Sequence, residues 1–258
     1  MRCMRLKSCQ SRCSIKVSVI FTFFVAAALT MLFPEDGISS AAVETQNFVS
    51  LRLTEFSDSH PENATSAGWR LEKYKGDPSI RVERFGDHVY LRMTSSGHTA
   101  FGVRKQISVD IRQYPFLHWT WKAQRLPAGG DVRRADRDDQ VLQVYVIFPM
   151  GAFFNIMKSP TIAYVWDNEA PKNLMIQSPQ KRMEFVRYIV LRNKADALRR
   201  WQQEKRNLYE DYKIMFKDVK NGEPSGPIQA LVLFINTHHT GSDAEGTIGE
   251  MYFSTKGE

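Results

Sequence analysis

The segment that decides the fold is six residues long and alternates between the two faces of a strand: Phe116-Leu117-His118-Trp119-Thr120-Trp121. Successive side chains of a β-strand point to opposite faces, so the leucine and both tryptophans share one face. The histidine, the threonine and Lys122 share the other. Two tryptophans two positions apart are typical of a core strand. This segment predicts a β-sheet protein with an aromatic core.

Short segments with the same alternation extend along the chain on both sides of this strand. A turn at 85–88 joins residues 80–84 to residues 89–93, which predicts a hairpin. The remaining predicted strands are 100–109, 141–148, 161–166, 183–191, 228–235 and 247–253. The fold class is therefore mainly β, and we expect an antiparallel β-sandwich of about nine strands.

One segment has helical periodicity instead. The side chains that recur at intervals of three and four are nearly all apolar: Leu198, Trp201, Lys205, Leu208, Tyr212 and Met215. This pattern predicts one long amphipathic helix near 195–217 that packs against the sandwich.

The first 42 residues have the composition of an export segment. Five positive side chains precede an uncharged apolar run at 17–33, and small residues follow at 39–42. This order predicts a signal peptide, or an N-terminal membrane anchor if cleavage does not occur. In both cases the single domain at 43–258 is expected to be periplasmic or otherwise extracytoplasmic. Membrane contact is expected only through an uncleaved N-terminal segment.

Composition and motifs exclude several classes of protein. Cys3, Cys9 and Cys13 all precede the apolar run, so the domain has no cysteine for a disulfide. The formal charge of +7 becomes +4 without the first 42 residues, which carry five positive and two negative side chains (7 − 3 = 4). So small a surplus indicates no nucleic-acid partner. The sequence contains no serine-hydrolase elbow, zinc-protease motif, P-loop or dinucleotide fingerprint, so no catalytic class is indicated.

Several spaced motifs together resemble one known family. They are Gly68-Trp69, Leu117-x-Trp119-x-Trp121, Asp136-x-Asp138-Asp139 before Val144-Tyr145-Val146, Tyr164-Val165-Trp166-Asp167-Asn168, Tyr209-x-Asp211-Tyr212 with Phe216, and Tyr252. In order and spacing they resemble the bacterial DUF3047 family across residues 50–255. The resemblance implies an exported domain similar to galactose-binding-like jelly rolls, in a family with no assigned function. The chain departs from the family at 236–240, where Asn-Thr-His-His-Thr replaces an expected acidic run.

An acidic loop offers candidate metal ligands. Carboxylate oxygens close together suit calcium, so Asp136, Asp138 and Asp139 form a candidate structural calcium site, with Asp131 nearby. In the alternative interpretation, the arginines at 133, 134 and 137 pair with these acids on a solvated loop.

Aromatic side chains beside polar ones suggest a sugar site. Tyr164, Trp166, Asp167 and Asn168 end a strand, and Trp121 is a further candidate. Aromatic faces accept the C–H faces of a pyranose, while carboxylate and amide groups bind its hydroxyls. Alternatively, the aromatic residues belong to the core and the polar ones form a turn.

An arginine and two histidines complete the candidates. Arg187 is predicted either to pair with an internal acid, Asp139 or Asp167, or to bind an anionic sugar or carboxylate. The adjacent His238 and His239 would point to opposite faces of a strand, and we interpret them as loop residues.

Three functions stay open at this point. The first is non-catalytic binding of an envelope glycan or glycoconjugate. The second is a carbohydrate-active enzyme, glycosidase or lyase, with Asp139 and Asp167 as a candidate carboxylate pair. The third is a structural component of an envelope complex that uses the exposed face of the helix. Every site prediction requires the loops at 131–139, 164–168 and 236–243 to meet at one rim of the sandwich.

Overall fold

Alternating side chains build two facing sheets over most of the chain. The computed structural model describes residues 50–53, 68–150 and 158–257, all within one compact unit, Gln46–Glu258. The export segment predicted at 1–42 lies outside the described residues. Across the described ranges, no helix has the length and apolar character that a membrane crossing requires.

Strands dominate the described residues, and the single α-helix among them is short. The strands are Ser50–Arg52 (β1), Trp69–Lys75 (β2), Ser79–Phe85 (β3), His88–Ser95 (β4), Ala100–Val109 (β5), Phe116–Arg125 (β6), Leu142–Ile147 (β7), Thr161–Trp166 (β8), Met175–Gln177 (β9), Val186–Arg192 (β10), Gln202–Asn207 (β11), Ile228–Asn236 (β12) and Ala244–Ser254 (β13). The helix α1 is Leu208–Met215, and a 3₁₀ turn follows at Lys220–Gly222.

The strands form a six-stranded and a seven-stranded sheet. The first has the order β11-β6-β13-β4-β3, with β1 also paired to β13, and the second has the order β2-β5-β12-β7-β8-β10-β9. All pairs are antiparallel except β8 with β10, which run parallel. The predicted β-sandwich is confirmed, and the parallel pair is an addition to it.

The core between the sheets is aromatic, as residues 116–121 predict. Trp119 and Trp121 pack edge to face, with ring centroids 5.5 Å apart. Tyr164 lies 5.3 Å from Trp119, and Trp166 lies 5.7 Å from Trp121. Strands β6 and β8, on opposite sheets, therefore contact each other through large rings.

The two sheets differ on their outer faces. A second apolar cluster, which includes Tyr145, Val165 and Tyr188, lies on the outer face of the seven-stranded sheet. Leu174, Ile176 and Met183 pack against it. The outer face of the six-stranded sheet instead carries polar, charged and partly exposed aromatic side chains. This contrast places the open surface on the six-stranded sheet.

The long helix predicted near 195–217 is wrong in extent, although a helix is present. Residues 202–207 form the edge strand β11, and the helix begins only at Leu208. The Asn207 side chain accepts a hydrogen bond from the Glu210 N–H (3.1 Å) and caps the helix at that point. The strand was missed because its inward side chains are charged: Glu204 pairs with Arg192, and Arg206 pairs with Asp211.

Candidate functional site

The three loops identified in the sequence do meet. The Val132 N–H donates to the Asp167 carboxylate (2.9 Å), which joins the first loop to the second. The N–H groups of His239 and Thr240 donate to Asp139 (3.1 and 2.6 Å), which joins the third loop to the first. The prediction that these loops share one rim is confirmed, and we call residues 131–139, 164–168 and 236–243 the rim.

Asp167 and Asn168 hold the rim together from inside. Asp167 is fully buried and accepts hydrogen bonds from the N–H groups of Val132 (2.9 Å) and Ala170 (2.7 Å). The Asn168 amide donates to the Pro127 carbonyl (2.9 Å). Both side chains act as turn formers, the alternative considered for them.

Asp138 and Asp139 are also buried and fully engaged. Asp138 accepts from Gln140 (3.0 Å), Gln180 (3.2 Å) and the Tyr188 hydroxyl (3.1 Å). Asp139 accepts from two backbone N–H groups of the third loop, and the His239 Nδ1 lies 3.2 Å from it. The carboxylates of Asp139 and Asp167 therefore have no surface open to a substrate. This finding corrects the hypothesis that they form a catalytic pair.

The candidate calcium ligands are separated by their partners. Asp136 is exposed and pairs with Arg134 (3.0 Å), and Asp131 pairs with Arg133 (2.7 Å). The other two acids of the loop bind the side chains and backbone described above. Among the described residues, no group of three or more His, Cys, Asp or Glu side chains is placed to hold a metal ion. For Asp131 and Asp136, pairing with arginine is the arrangement found.

The candidate sugar-binding aromatics lie in the core. Trp121, Tyr164 and Trp166 have no exposed surface. Trp121 donates its indole N–H to Glu204 (2.8 Å), and the Tyr164 hydroxyl donates to Asp211 (2.6 Å). Their rings pack against each other between the sheets, so no face is left for a sugar.

Arg187 is a paired arginine, but its partner is neither of the predicted acids. Its guanidinium makes a bidentate contact with Asp218 (2.8 and 2.7 Å) and lies 4.5 Å from the Phe216 ring centroid. The hydrogen bonds from Arg187 lower the pKa of Asp218. This pair fastens β10 to the segment that follows the helix.

Two buried carboxyls of the rim make stability depend on pH. Burial raises the pKa of Asp138 and of Asp167 from 3.8 to about 6. The folded state thus binds these protons more tightly than the unfolded state, whose carboxyls titrate near ~3.9. The stabilising contribution is complete below about pH 4 and is lost as pH rises through about 6. We expect the free energy of unfolding to fall across this window by on the order of 2–3 kcal/mol per carboxyl.

Urea unfolding between about pH 4 and pH 7 measures this fall. Asp138→Asn removes one titrating group and is expected to abolish about half of the fall. Asp136→Asn, an exposed acid of the same loop, is expected to leave the pH profile of wild type. A free energy that rises throughout the window and is unaffected by Asp138→Asn would contradict the assignment.

The open surface is the outer face of the six-stranded sheet, which we call the open face. Strand pairing arranges its side chains in rows across the sheet. The row at the centre runs through Gln203, Thr120, Gly249, Tyr90 and Glu83. The adjacent row runs through Lys122, Thr247, Arg92 and Arg81. The open face thus alternates hydroxyl, amide and charged groups with aromatic rings.

Two aromatic rings form a ridge on the open face. Trp201, the residue before β11, reaches across the sheet to Tyr90 on β4, with ring centroids 4.9 Å apart. The Lys122 ammonium lies 4.6 Å from the Trp201 ring centroid. Trp201 nevertheless keeps 40% of its surface exposed. We call Tyr90 and Trp201 the ridge.

Gly249 allows the ridge to lie close to the sheet. A Cβ atom at this position would come within 2.5 Å of the Thr120 hydroxyl oxygen and 3.1 Å of the Tyr90 ring. Contacts so short require one of the neighbours to move. The absence of a side chain at Gly249 therefore leaves room for the tyrosine ring against β13.

A hollow lies on each side of the ridge. One has a volume of about 570 Å³ and is lined by the ridge together with Arg52, Gln203 and Glu250 among others. The second has a volume of about 490 Å³ and includes the exposed Phe85. Ligand sites are usually clefts of about 300–1,000 Å³, so each hollow can receive a small group such as a sugar ring.

The carboxylates of the open face are held by arginines. Arg92 contacts Glu83 (2.7 Å) and Glu245 (3.0 Å), and Arg52 lies 3.5 Å from Glu250. These pairs hold the acids in place on the open face. The carboxyls with raised pKa, Asp138 and Asp167, lie in the rim instead.

The sequence interpretation missed the ridge for identifiable reasons. The alternation in 116–121 did place Thr120 and Lys122 on one face, but it did not show that this face is open. Trp201 fitted a helical apolar stripe, which concealed its place beside an edge strand. The signal available in the sequence was that residues 202–207 contain no apolar side chain, which interrupts the helical stripe between Trp201 and Leu208.

Among solved structures, the chain is similar to several carbohydrate-related β-sandwich domains. The family 11 carbohydrate-binding module from Clostridium thermocellum, in complex with a beta-1,3-1,4-mixed-linked tetrasaccharide, is 8% identical with a TM-score of 0.41; the match covers 79% of this chain and 94% of that one. The xyloglucanase domain of NopAA, a type three effector from Sinorhizobium fredii, is 9% identical with a TM-score of 0.41, covering 72% and 92%. Sequence identities and TM-scores this low do not indicate what the present chain binds.

The sequence comparisons concern the family. A search of curated proteins finds no match to the chain. Residues 67–252 match the model of a protein family described as "Protein of unknown function (DUF3047)". That segment includes every strand from β2 to β12 and most of β13, more than two thirds of the chain. The chain therefore belongs to the DUF3047 family.

Proposed function

We propose that this protein binds a glycan on the open face, with the ridge as the platform on which a sugar ring stacks. The observation that carries the proposal is the placement of Trp201 and Tyr90 above a polar sheet surface, with a hollow on each side. Aromatic rings are usually withdrawn from water, as the core tryptophans of this chain are. A tryptophan held on an open surface by a tyrosine and a lysine suits a ligand with apolar patches.

The chemistry of a sugar matches both parts of this surface. A pyranose presents C–H groups to an aromatic ring and hydroxyl groups around its edge. The side chains of Thr120, Gln203 and Glu250 line the larger hollow and can donate to or accept from hydroxyls. Since hollows flank the ridge on both sides, the surface suits several consecutive sugars of a chain.

The proposed role is binding, at a site outside the cytoplasm. The ion-paired acids of the open face suit recognition of hydroxyls, and the acids considered earlier for catalysis are buried in the rim. The composition of residues 1–42 supports export, so we infer that the ligand is a glycan or glycoconjugate of the cell envelope.

Trp201→Ala tests the platform. We expect binding to weaken about 30-fold, because truncation of a central aromatic anchor typically costs about 2 kcal/mol. A glycan array identifies a ligand, and calorimetry then compares wild type with the variant. Both are run with calcium and with chelator, so that any contribution of Asp136, Asp138 and Asp139 through a metal is detected.

Tyr74→Ala is the matched control. Tyr74 is more than half exposed, but it belongs to β2 of the other sheet. It is expected to bind as wild type does. Unchanged affinity in Trp201→Ala, or absence of any glycan ligand for the well-folded wild type, would refute the proposal.

A further inference from the structure

One end of the open face is positively charged beside the ridge. Four cationic side chains and one carboxylate line a hollow of about 340 Å³ there, and we call the cations the basic corner: Arg92, Lys122, Arg125 and Arg199. Lys122 also contacts the Trp201 ring, so the basic corner and the ridge are contiguous. A ligand that stacks on the ridge therefore comes within reach of these cations.

Two of the four cations are already neutralised by acids. Arg92 binds Glu83 and Glu245, and Arg125 binds Asp243 (2.8 Å). These pairs hold the two guanidinium groups in place. With three carboxylates against four cations, the basic corner and its acids carry a net charge of +1 (4 − 3 = 1), and Lys122 and Arg199 are the cations outside these pairs.

Lys122 and Arg199 have no such partner. Among the described carboxylates, none forms an ion pair with either side chain. The Arg199 backbone N–H donates to the Ala123 carbonyl (2.8 Å), which fixes this residue beside β6 in a left-handed conformation (φ 59°). Lys122 lies on β6 itself, one position from Ala123. Two cations thus line the same hollow without an ion-pair partner, an arrangement that an anionic ligand would stabilise.

We propose that the glycan bound on the open face is acidic, with an anionic substituent received at the basic corner by Lys122 and Arg199. The inference rests on the proposed function, since the ridge supplies the stacking platform. Arginine and lysine bind carboxylate, sulfate and phosphate oxygens by the same charge-assisted hydrogen bonds. The ligand class is therefore an anionic polysaccharide, of which a uronic acid polymer is the simplest case.

The test compares acidic and neutral forms of one polymer. Polygalacturonic acid and its carboxyl-reduced form differ in charge while keeping the same backbone, and dextran sulfate with dextran forms a second pair. An array of acidic and neutral oligosaccharides extends both comparisons to other sugars. We expect ligands to be concentrated among acidic members, with affinity that falls as salt increases.

The variant Lys122→Gln/Arg199→Gln is expected to lower the ratio of acidic to neutral affinity by about tenfold, since each exposed charge contact contributes up to about fivefold. Arg134→Gln/Lys181→Gln removes the same charges from residues outside the open face and is expected to keep the wild-type ratio. Binding of the acidic polymers must also weaken in Trp201→Ala; if it does not, charge alone attracts them and the inference is overturned.

The two proposals fail in different ways. If neutral and acidic glycans bind equally, with an unchanged ratio in the double variant, the acidic ligand is refuted while the ridge remains a glycan site. If neither class binds, the proposed function itself fails. A preference for sulfated over carboxylated polymers would retain the basic corner and assign the anion to a sulfate.

Discussion

Asp139→Ala is expected to lower the free energy of unfolding by about 3–5 kcal/mol, because it removes the acceptor that joins two loops of the rim. Asp139 is fully buried and receives the N–H groups of His239 and Thr240. Both N–H donors would lose the buried carboxylate that they bind. Urea or thermal unfolding, with circular dichroism as the signal, measures the loss.

Two further variants make this result specific. Asp136→Ala, on the exposed side of the same loop, is expected to leave the free energy of unfolding close to that of wild type. Asp139→Asn keeps one acceptor oxygen and should fall between the two alanine variants. If Asp139→Ala proves as stable as Asp136→Ala, the stability of the rim does not depend on the Asp139 carboxylate.

Asp211→Ala is the second variant with a large expected effect, about 3–4 kcal/mol of lost stability. Asp211 is buried at the start of α1, where it accepts from the Tyr164 hydroxyl (2.6 Å) and from Arg206 (2.9 Å). Its removal leaves a core tyrosine hydroxyl without an acceptor and a half-buried guanidinium without a counter-charge. The variant therefore loosens β11 and α1 from the core together.

Glu210→Ala is the matched control for Asp211→Ala, since the neighbouring acid occupies the same helical turn but is exposed. It is expected to cost less than about 1 kcal/mol, through the helix dipole and the exposed ion pair with Lys213 (3.7 Å). Because β11 follows Trp201, loosening this region should also weaken glycan binding in Asp211→Ala. Equal losses of stability in the two variants would contradict the anchoring role.

Local pattern was sufficient to predict nine of the thirteen strands in the described part of the chain, and the rim. Alternation of side chains identified these nine segments as strands, because a period of two is imposed by backbone geometry wherever one face is buried. The acids at 136, 138, 139 and 167 were identified as candidates from their position in loops or at strand ends. Their role is structural because each carboxylate accepts hydrogen bonds from other groups of the protein.

Local pattern was not sufficient to predict contacts between residues that are far apart in the sequence. Arg187 was predicted to pair with an internal acid, but the choice of Asp218 depends on where the segment after α1 returns to β10. Residues 202–207 lack apolar alternation because their inward charges are neutralised by Arg192 and Asp211. A helical stripe through Trp201 was then the simpler interpretation.

The sequence by itself determined that this is a mainly β domain, which residues share a face of each predicted strand, and to which family the chain belongs. Only the tertiary structure decided which of the two outer faces stays open. A strand with two usable faces carries no local sign of what will cover it. In this chain Leu174, Ile176 and Met183 cover the outer face of one sheet, whereas Trp201 and Tyr90 meet on the other and leave it open to a ligand.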